Sequence, residues 1–224
     1  MKTVIKNLAK QYSPLLSRIY YYLNNNRVRG GRGNILKRQN AYISGTRVRF
    51  CGKGNTITIG GGDFSTLSGC NINVYGSNNN VIIEEGVGLK NLTIYMGGNY
   101  NTVHIKRMTQ VAGKTELAVM EGTKIVIGED SLFSANVTLR AGDSHSVIDS
   151  ESGTRLNKSK DIIIGNHVWI GNTVIVTKGT NIGNHCVVAT GSVVAGKTFP
   201  DFCAIGGNPA KVIKEGISWL SEAI

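Results

Sequence analysis

The run Ile164-Gly-Asn-His-Val-Trp, Ile170-Gly-Asn-Thr-Val-Ile, Val176-Thr-Lys-Gly-Thr-Asn, Ile182-Gly-Asn-His-Cys-Val, Val188-Ala-Thr-Gly-Ser-Val and Val194-Ala-Gly-Lys-Thr-Phe199 decides the fold. An aliphatic residue opens each unit, a small residue usually follows, and Val or Cys often stands four places on. A period of six is neither the 3.6 of a helix nor the 2 of a plain strand; it marks a β-solenoid. The opening aliphatic points inward at a corner, and the residues after it fit a bend that a large Cβ would obstruct. Three units make one triangular turn, so residues eighteen apart should stack.

Outward from this run, the beat is in phase at Ile127, Phe133 and Leu139, breaks over residues 144–160, and resumes at Ile164. From about Ile35 to Ile105 it is degenerate. Short β-rich runs open with Asn55, Asn71, Asn80, Asn91 and Asn101, a residue type that tolerates left-handed backbone angles and bonds its own turn. These runs are expected to be further coils with looser corners. Residues 2–25 carry apolar residues near helical spacing, with Pro14 as a break between two short helices. Such helices would cap the open solenoid end or make a subunit contact; the alternative is an amphipathic segment on a membrane surface. Arg27-Val-Arg-Gly-Gly-Arg-Gly reads as a basic, flexible connector. The organisation expected is therefore a helical segment and connector over 1–34, a solenoid over 35–214 with an excursion loop at 143–160, and a short C-terminal helix around Trp219 in 215–224.

The 224 residues carry a formal net charge of +11, which implies an anionic partner. Nucleic acid is not expected, because no zinc-finger spacing, RNP-like aromatic motif or helix-turn-helix pattern is present. Cys51, Cys70, Cys186 and Cys203 lack CxxC pairing, and Cys186 holds an inward slot as a small hydrophobe. Disulfides are not expected, which favours a reducing compartment. Lysines and arginines break the apolar residues of the N-terminus, so neither a signal peptide nor a membrane span is expected. The reading is a cytoplasmic protein, with peripheral contact at an inner membrane as the variant.

The hexapeptides, together with the closing phrase Ala204-Ile-Gly-Gly-Asn-Pro-Ala-Lys-Val-Ile-Lys214, resemble the hexapeptide-repeat acyltransferases over residues 162–214. That resemblance implies an all-β fold, a left-handed parallel β-helix. The hand comes from the family alone, since parallel crossovers are otherwise right-handed almost always. The resemblance is particularly close to capsular polysaccharide O-acetyltransferases, including those acting on polysialic acid.

A regular coil contains no pocket, so chemistry is expected where the repeat fails. The sharp departure is Asp143-Ser-His-Ser-Val-Ile-Asp-Ser-Glu-Ser-Gly-Thr-Arg-Leu-Asn157, and His145 stands where the next corner aliphatic belongs. The resemblance makes a histidine at such a loop the general base, followed by a Val-Trp-Ile-Gly phrase, here Val168-Trp169-Ile170-Gly171. A neutral imidazole can take the proton of a sugar hydroxyl as it attacks a thioester. Asp143 or Asp149 is a candidate to orient it. Trp169 would line the pocket, and Asn136, Asp143 and Arg155 would meet the acceptor. The resemblance also implies acetyl-CoA as cosubstrate, lying along the coils between two subunits of a homotrimer. The matching positions are Gly171, Asn172, Ala189, Thr190 and Gly191, with Lys178, Lys197, Lys211 and Lys214 as phosphate partners.

The reading is an O-acetyltransferase of a bacterial surface polysaccharide, with an acidic glycan suited to the basic charge. Transfer to an amine of an amino-sugar nucleotide or small drug is the alternative inside the enzyme class. Outside it stand a glycan-binding solenoid and a metal-dependent carbonic anhydrase. His167 and His185 share a hexapeptide position one coil apart and should stack, but catalytic zinc wants three protein ligands and no metal is expected.

Overall fold

A computed structural model describes residues 15–222. Among them the chain is almost wholly β, a triangular parallel solenoid with three strand-bearing faces. The first face stacks Arg27–Arg29, Arg47–Cys51, Asn71–Tyr75, Leu92–Gly97, Thr115–Met120, Val137–Arg140, Ile175–Thr177 and Val193–Val194. The second and third faces belong to one continuous sheet, because the strands Ile35–Ser44 and Thr56–Ser68 each bend round a corner and serve both. Every solenoid contact is parallel, and only the last strand, Ala210–Glu215, turns back antiparallel on Cys203–Gly207.

The register shows why the hexapeptide is legible in only one half. Ile170 pairs with Val188 and Val176 with Val194, eighteen residues apart as the repeat demands. Upstream, Ile57 pairs with Val81 and Val81 with Val103, so those coils are four to six residues longer. The inward positions still alternate strictly: Ile57, Ile59, Val81, Ile83, Val103, Ile105, Ile125 and Ile127 are buried, with outward residues between them. Period-2 alternation within each rung therefore survives while the corners absorb the extra residues.

Those longer corners use asparagine differently from the turn role read from sequence. Of the strand-opening asparagines, Asn91 alone takes a left-handed φ, +54°. Asn55 and Asn101 instead bury their amides in a ladder with Asn34 and Asn79. Asn55 donates from Nδ2 to Oδ1 of Asn34 at 2.9 Å, Asn79 to Asn55 at 3.0 Å, and Asn101 to Asn79 at 2.9 Å. Backbone N–H groups of Asn55, Asn79 and Asn101 donate to the same oxygens. A buried corner with orphan backbone donors is satisfied rung by rung.

Two expectations at the ends are corrected. Arg27-Val-Arg is not a loose connector: it pairs with Arg47–Arg49 as the first rung. The C-terminal helix is absent among the described residues. Residues 217–222 lack helix, yet they do lie on the coils, where Trp219 stacks on His167 at 4.3 Å and 9°. A helix covers residues 15–23, anchored by Asn26, whose Nδ2 donates to the carbonyls of Tyr21 and Ile43. The expected break at Pro14 and an earlier helix lie outside the described residues. His167 and His185 are neighbours one coil apart, as expected, with ring centroids 5.2 Å apart but planes tilted by 53°; Cys186 is fully buried beside Cys203, with all four cysteines free.

Candidate functional site

The excursion leaves the coil after Val137–Arg140 on the first face and returns at Ile162–Ile164 on the second, so it hangs from the corner between them. Leu139 and Ala141 are the last inward residues before it, and both are fully buried. Its tip is a tight turn in which Asp149 accepts from the N–H of Ser152 at 2.8 Å and from its hydroxyl at 2.9 Å. These bonds hold the Asp149 carboxyl below its usual range.

The base of the loop is pinned from several directions. Asn157 is its hub: Nδ2 donates to Oδ2 of Asp143 at 2.7 Å and to the carbonyl of His145 at 2.8 Å. Its Oδ1 accepts from the N–H of Val147 at 2.7 Å. Lys178, one coil on, reaches back to Asp143 and to the carbonyl of Asn157, and that ammonium is the first cause of the lowered Asp143 pKa. From the preceding coil, Glu121 receives Arg155 at 2.6 Å and the Ser159 hydroxyl at 2.7 Å. Arg155 first, then Ser159, lowers the Glu121 pKa to about 2, so this anchor stays ionised at physiological pH. Asn157, Glu121 and Ser159 were not legible as site residues, because only the fold brings them to one corner.

His145 is exposed, and its ring has no hydrogen-bond partner among the described residues. Asp143 is engaged by Lys178 and Asn157, and Asp149 by its own turn, so neither carboxylate bonds the imidazole. What fixes His145 in this chain is its backbone carbonyl on Asn157. With His145 as the candidate base, Asn157→Ala should therefore lower turnover about ten- to a hundredfold by misplacing the imidazole. A cosubstrate KM that stays put while kcat falls is the signature of such a positioning residue. An equal loss in both would point to general unravelling instead.

The other candidates gather elsewhere. Trp169 stands on the third face, which is the face opposite this corner, 39% exposed and donating to Ser134 Oγ at 3.3 Å. Along its row lie Val187, Ala204 and Lys214; along the next, Ala189, Gly206 and Lys211. Gly206 is buried, and a Cβ there would meet both the Ala189 Cβ and the Ile213 Cδ1 at 3.3 Å, so it serves packing. Gly171 serves packing first, because a Cβ there would stand 2.8 Å from the N–H of Thr190 and the carbonyl of Val188. Asn136, Asn172, Thr190 and Gly191 are exposed at the corner between the third and first faces. Lys211 and Lys214 are exposed and make no ion pair among the described residues, and Lys197 is likewise open, at the His145 corner. Lys178 and Arg155 are committed to loop anchoring. The candidates thus fall into two separate groups: an imidazole at one corner, and an indole with two exposed ammonium groups on the opposite face.

Over 167 residues the chain is 34% identical to a polysialic acid O-acetyltransferase of Neisseria meningitidis, covering 69% of this chain and 78% of that protein. The chain belongs to the hexapeptide-repeat acetyltransferases. A polysialic acid O-acetyltransferase of Escherichia coli O1:K1 / APEC is 38% identical over 117 residues, which is 52% of this chain and 38% of that longer protein. The solved structure of the polysialic acid O-acetyltransferase OatWY superposes with a TM-score of 0.80 at 30% identity, over 88% of this chain and 92% of that one. No family model matches the chain. In this acetyltransferase, no helix among the described residues is long and apolar enough to cross a membrane.

Proposed function

We propose that the protein transfers an acetyl group from acetyl-CoA to a hydroxyl of an acidic bacterial surface polysaccharide, with His145 as general base. The observation that carries this is the partnerless, exposed imidazole at the point where the coil breaks, in a chain aligned almost end to end with an enzyme of that activity. Polysialic acid gives two of the relatives their names and is the first acceptor to try. The basic charge of +11 suits such a polyanion.

Acetyl-CoA would bring an acyl group already activated as a thioester, so no covalent acyl-enzyme is needed. The residues of the third face fit its shape and charge: Lys211 and Lys214 would meet phosphates, Ala189 would border its thin chain, and Trp169 would flank its end. His145 takes the proton of the attacking hydroxyl as the C–O bond forms and the C–S bond breaks, then returns it to the departing thiolate. Because the two half-sites lie on opposite sides of one chain, the working site is assembled between copies, the corner of one meeting the third face of the next. A closed ring of three satisfies such a head-to-tail contact. We place the enzyme in the cytoplasm, where acetyl-CoA is available.

The test is thiol release from acetyl-CoA with polysialic acid, another acidic capsule fragment, a neutral oligosaccharide and an amino-sugar nucleotide as acceptors. Release that requires an acidic polysaccharide supports the reading. Release with the amino-sugar nucleotide alone makes it an N-acetyltransferase, and no release together with no acetyl-CoA binding ends the transferase reading.

A further inference from the structure

Far from both half-sites, the first two rungs of the first face set four arginines in a two-by-two block. Arg27 is in register with Arg47 and Arg29 with Arg49, and the third rung continues the same columns as Asn71 and Asn73. Val48 and Phe50 point inward, 5% exposed each, so the alternation of the strand sends the arginines outward. Rungs lie about 4.8 Å apart and alternate residues about 6.6 Å apart, which puts all four side chains within roughly one Debye length at physiological salt.

This crowding is not neutralised by the described residues. Among the described residues none of the four makes an ion pair. Residues 1–14 contain no Asp or Glu that could supply one. Going down the columns, the first acidic residue is Glu116 on the fifth rung, and it is taken by Arg140 at 2.9 Å. Like charges opposite each other on a sheet are destabilising, so the block has a standing preference for a bound anion. It lines a shallow depression of about 250 Å³. Beside it, Tyr75 lies under the Arg49 guanidinium at 5.6 Å and against Tyr95 at 5.5 Å.

We propose that this block docks a carboxylated stretch of the acceptor polysaccharide at a distance from the point of acyl transfer, an inference that rests on the acceptor class proposed above. Guanidinium forks grip carboxylates in pairs, the Asn71 and Asn73 amides answer hydroxyls, and the tyrosines offer a surface for sugar rings. A flat, open grid two rungs deep suits carboxylates spaced along a chain better than one compact anion. Nucleic acid is disfavoured because the two tyrosines lean on each other at 41° instead of presenting successive open platforms for bases. The loop base lies four rungs beyond the block, about 19 Å along the coil. A chain held at the block and modified at His145 therefore spans several sugars.

The experiment uses the full chain with Arg47→Gln/Arg49→Gln, measuring binding of fluorescently labelled polysialic acid across salt concentrations, and kcat/KM with long and short sialic acid acceptors. Dissociation constants about tenfold or more higher, a shallower salt dependence, and a fall of the same size in the long-to-short kcat/KM ratio are expected. Thermal stability should hold or rise as repulsion is relieved, which separates docking from misfolding. Unchanged binding overturns the inference, as does an equal loss for short and long acceptors. Tighter binding of a single-stranded oligonucleotide than of polysialic acid at equal salt would make this a nucleic-acid surface and overturn it too. If the wild type acetylates no polysaccharide yet binds polysialic acid through these arginines, the docking site stands and the proposed reaction falls.

Discussion

His145→Ala should lower kcat with the polysaccharide acceptor by about 10² to 10⁴-fold, the range expected when a general base is removed, while acetyl-CoA binding and the melting temperature stay near wild type. The separation of effects follows from the geometry. The imidazole is exposed and bonded to nothing among the described residues, so its removal leaves no cavity and no orphaned polar group there. The contact that shapes the loop is made by the His145 carbonyl, which alanine retains. The cosubstrate candidates stand on another face altogether, so binding there should not register the loss. A drop in acetyl-CoA affinity equal to the drop in turnover would contradict the two-half-site arrangement. Turnover at the wild-type rate would remove His145 as the base and return the loop to a structural role. Mixing the His145→Ala chain with a Trp169→Ala chain sharpens the test. If sites form between copies, some sites in mixed assemblies carry both intact halves, and activity above that of either parent alone is expected.

How far the sequence could be read depended on where each side chain's partner lies. The hexapeptide from Ile164 to Phe199 is legible because its successive coils pair at eighteen residues, falling to seventeen only at the last, so stacking leaves a periodic trace. The upstream coils blur because lengths of 22 to 24 residues break that trace, although Val81 and Val103 are as deeply buried as Ile182. His145 was legible as an interruption of rhythm. Its anchor was not, since the Asn157 bond to the His145 carbonyl and the Glu121 grip on Arg155 are set by the folded loop and leave no periodic trace. Arg27 to Arg29 looked like a connector because a basic, glycine-flanked run reads as solvated chain. Only the pairing to Arg47–Arg49 shows it to be a rung. The tail differs in the opposite sense: the short helix expected around Trp219 is instead an irregular segment, held on the coils by the indole N–H, which donates to the His167 carbonyl at 2.8 Å.

The asparagine ladder supplies the largest stability effect outside the apolar core. Asn79 is 2% exposed and stands in the middle of the ladder. Its Oδ1 accepts both from the N–H and from Nδ2 of Asn101, each at 2.9 Å, and its Nδ2 donates to Asn55 Oδ1 at 3.0 Å and to the Gly98 carbonyl at 2.9 Å. Asn79→Ala strips partners from two buried donors of Asn101 at once. At about 1–3 kcal/mol for each buried group left unsatisfied, a loss of roughly 3–5 kcal/mol is expected. For a chain of this length that corresponds to a melting temperature lower by about 10 °C. Asn71→Ala, an outward amide on the neighbouring face, should stay within about 0.5 kcal/mol, so the pair separates ladder chemistry from mere loss of asparagine. Asn79→Asp makes the argument stricter. It keeps the acceptor that Asn101 needs, but an ionised carboxylate has no proton for Asn55 Oδ1 and is buried besides. Burial and that facing oxygen both raise the folded-state pKa of the new acid above its unfolded value, so the variant should recover stability as pH falls through the folded value towards the unfolded one. Urea unfolding of the three variants at neutral and mildly acidic pH measures all of this. A loss under about 1 kcal/mol for Asn79→Ala would mean that water or corner relaxation takes over the ladder's bonds, and that the apolar stack alone holds the long coils in register.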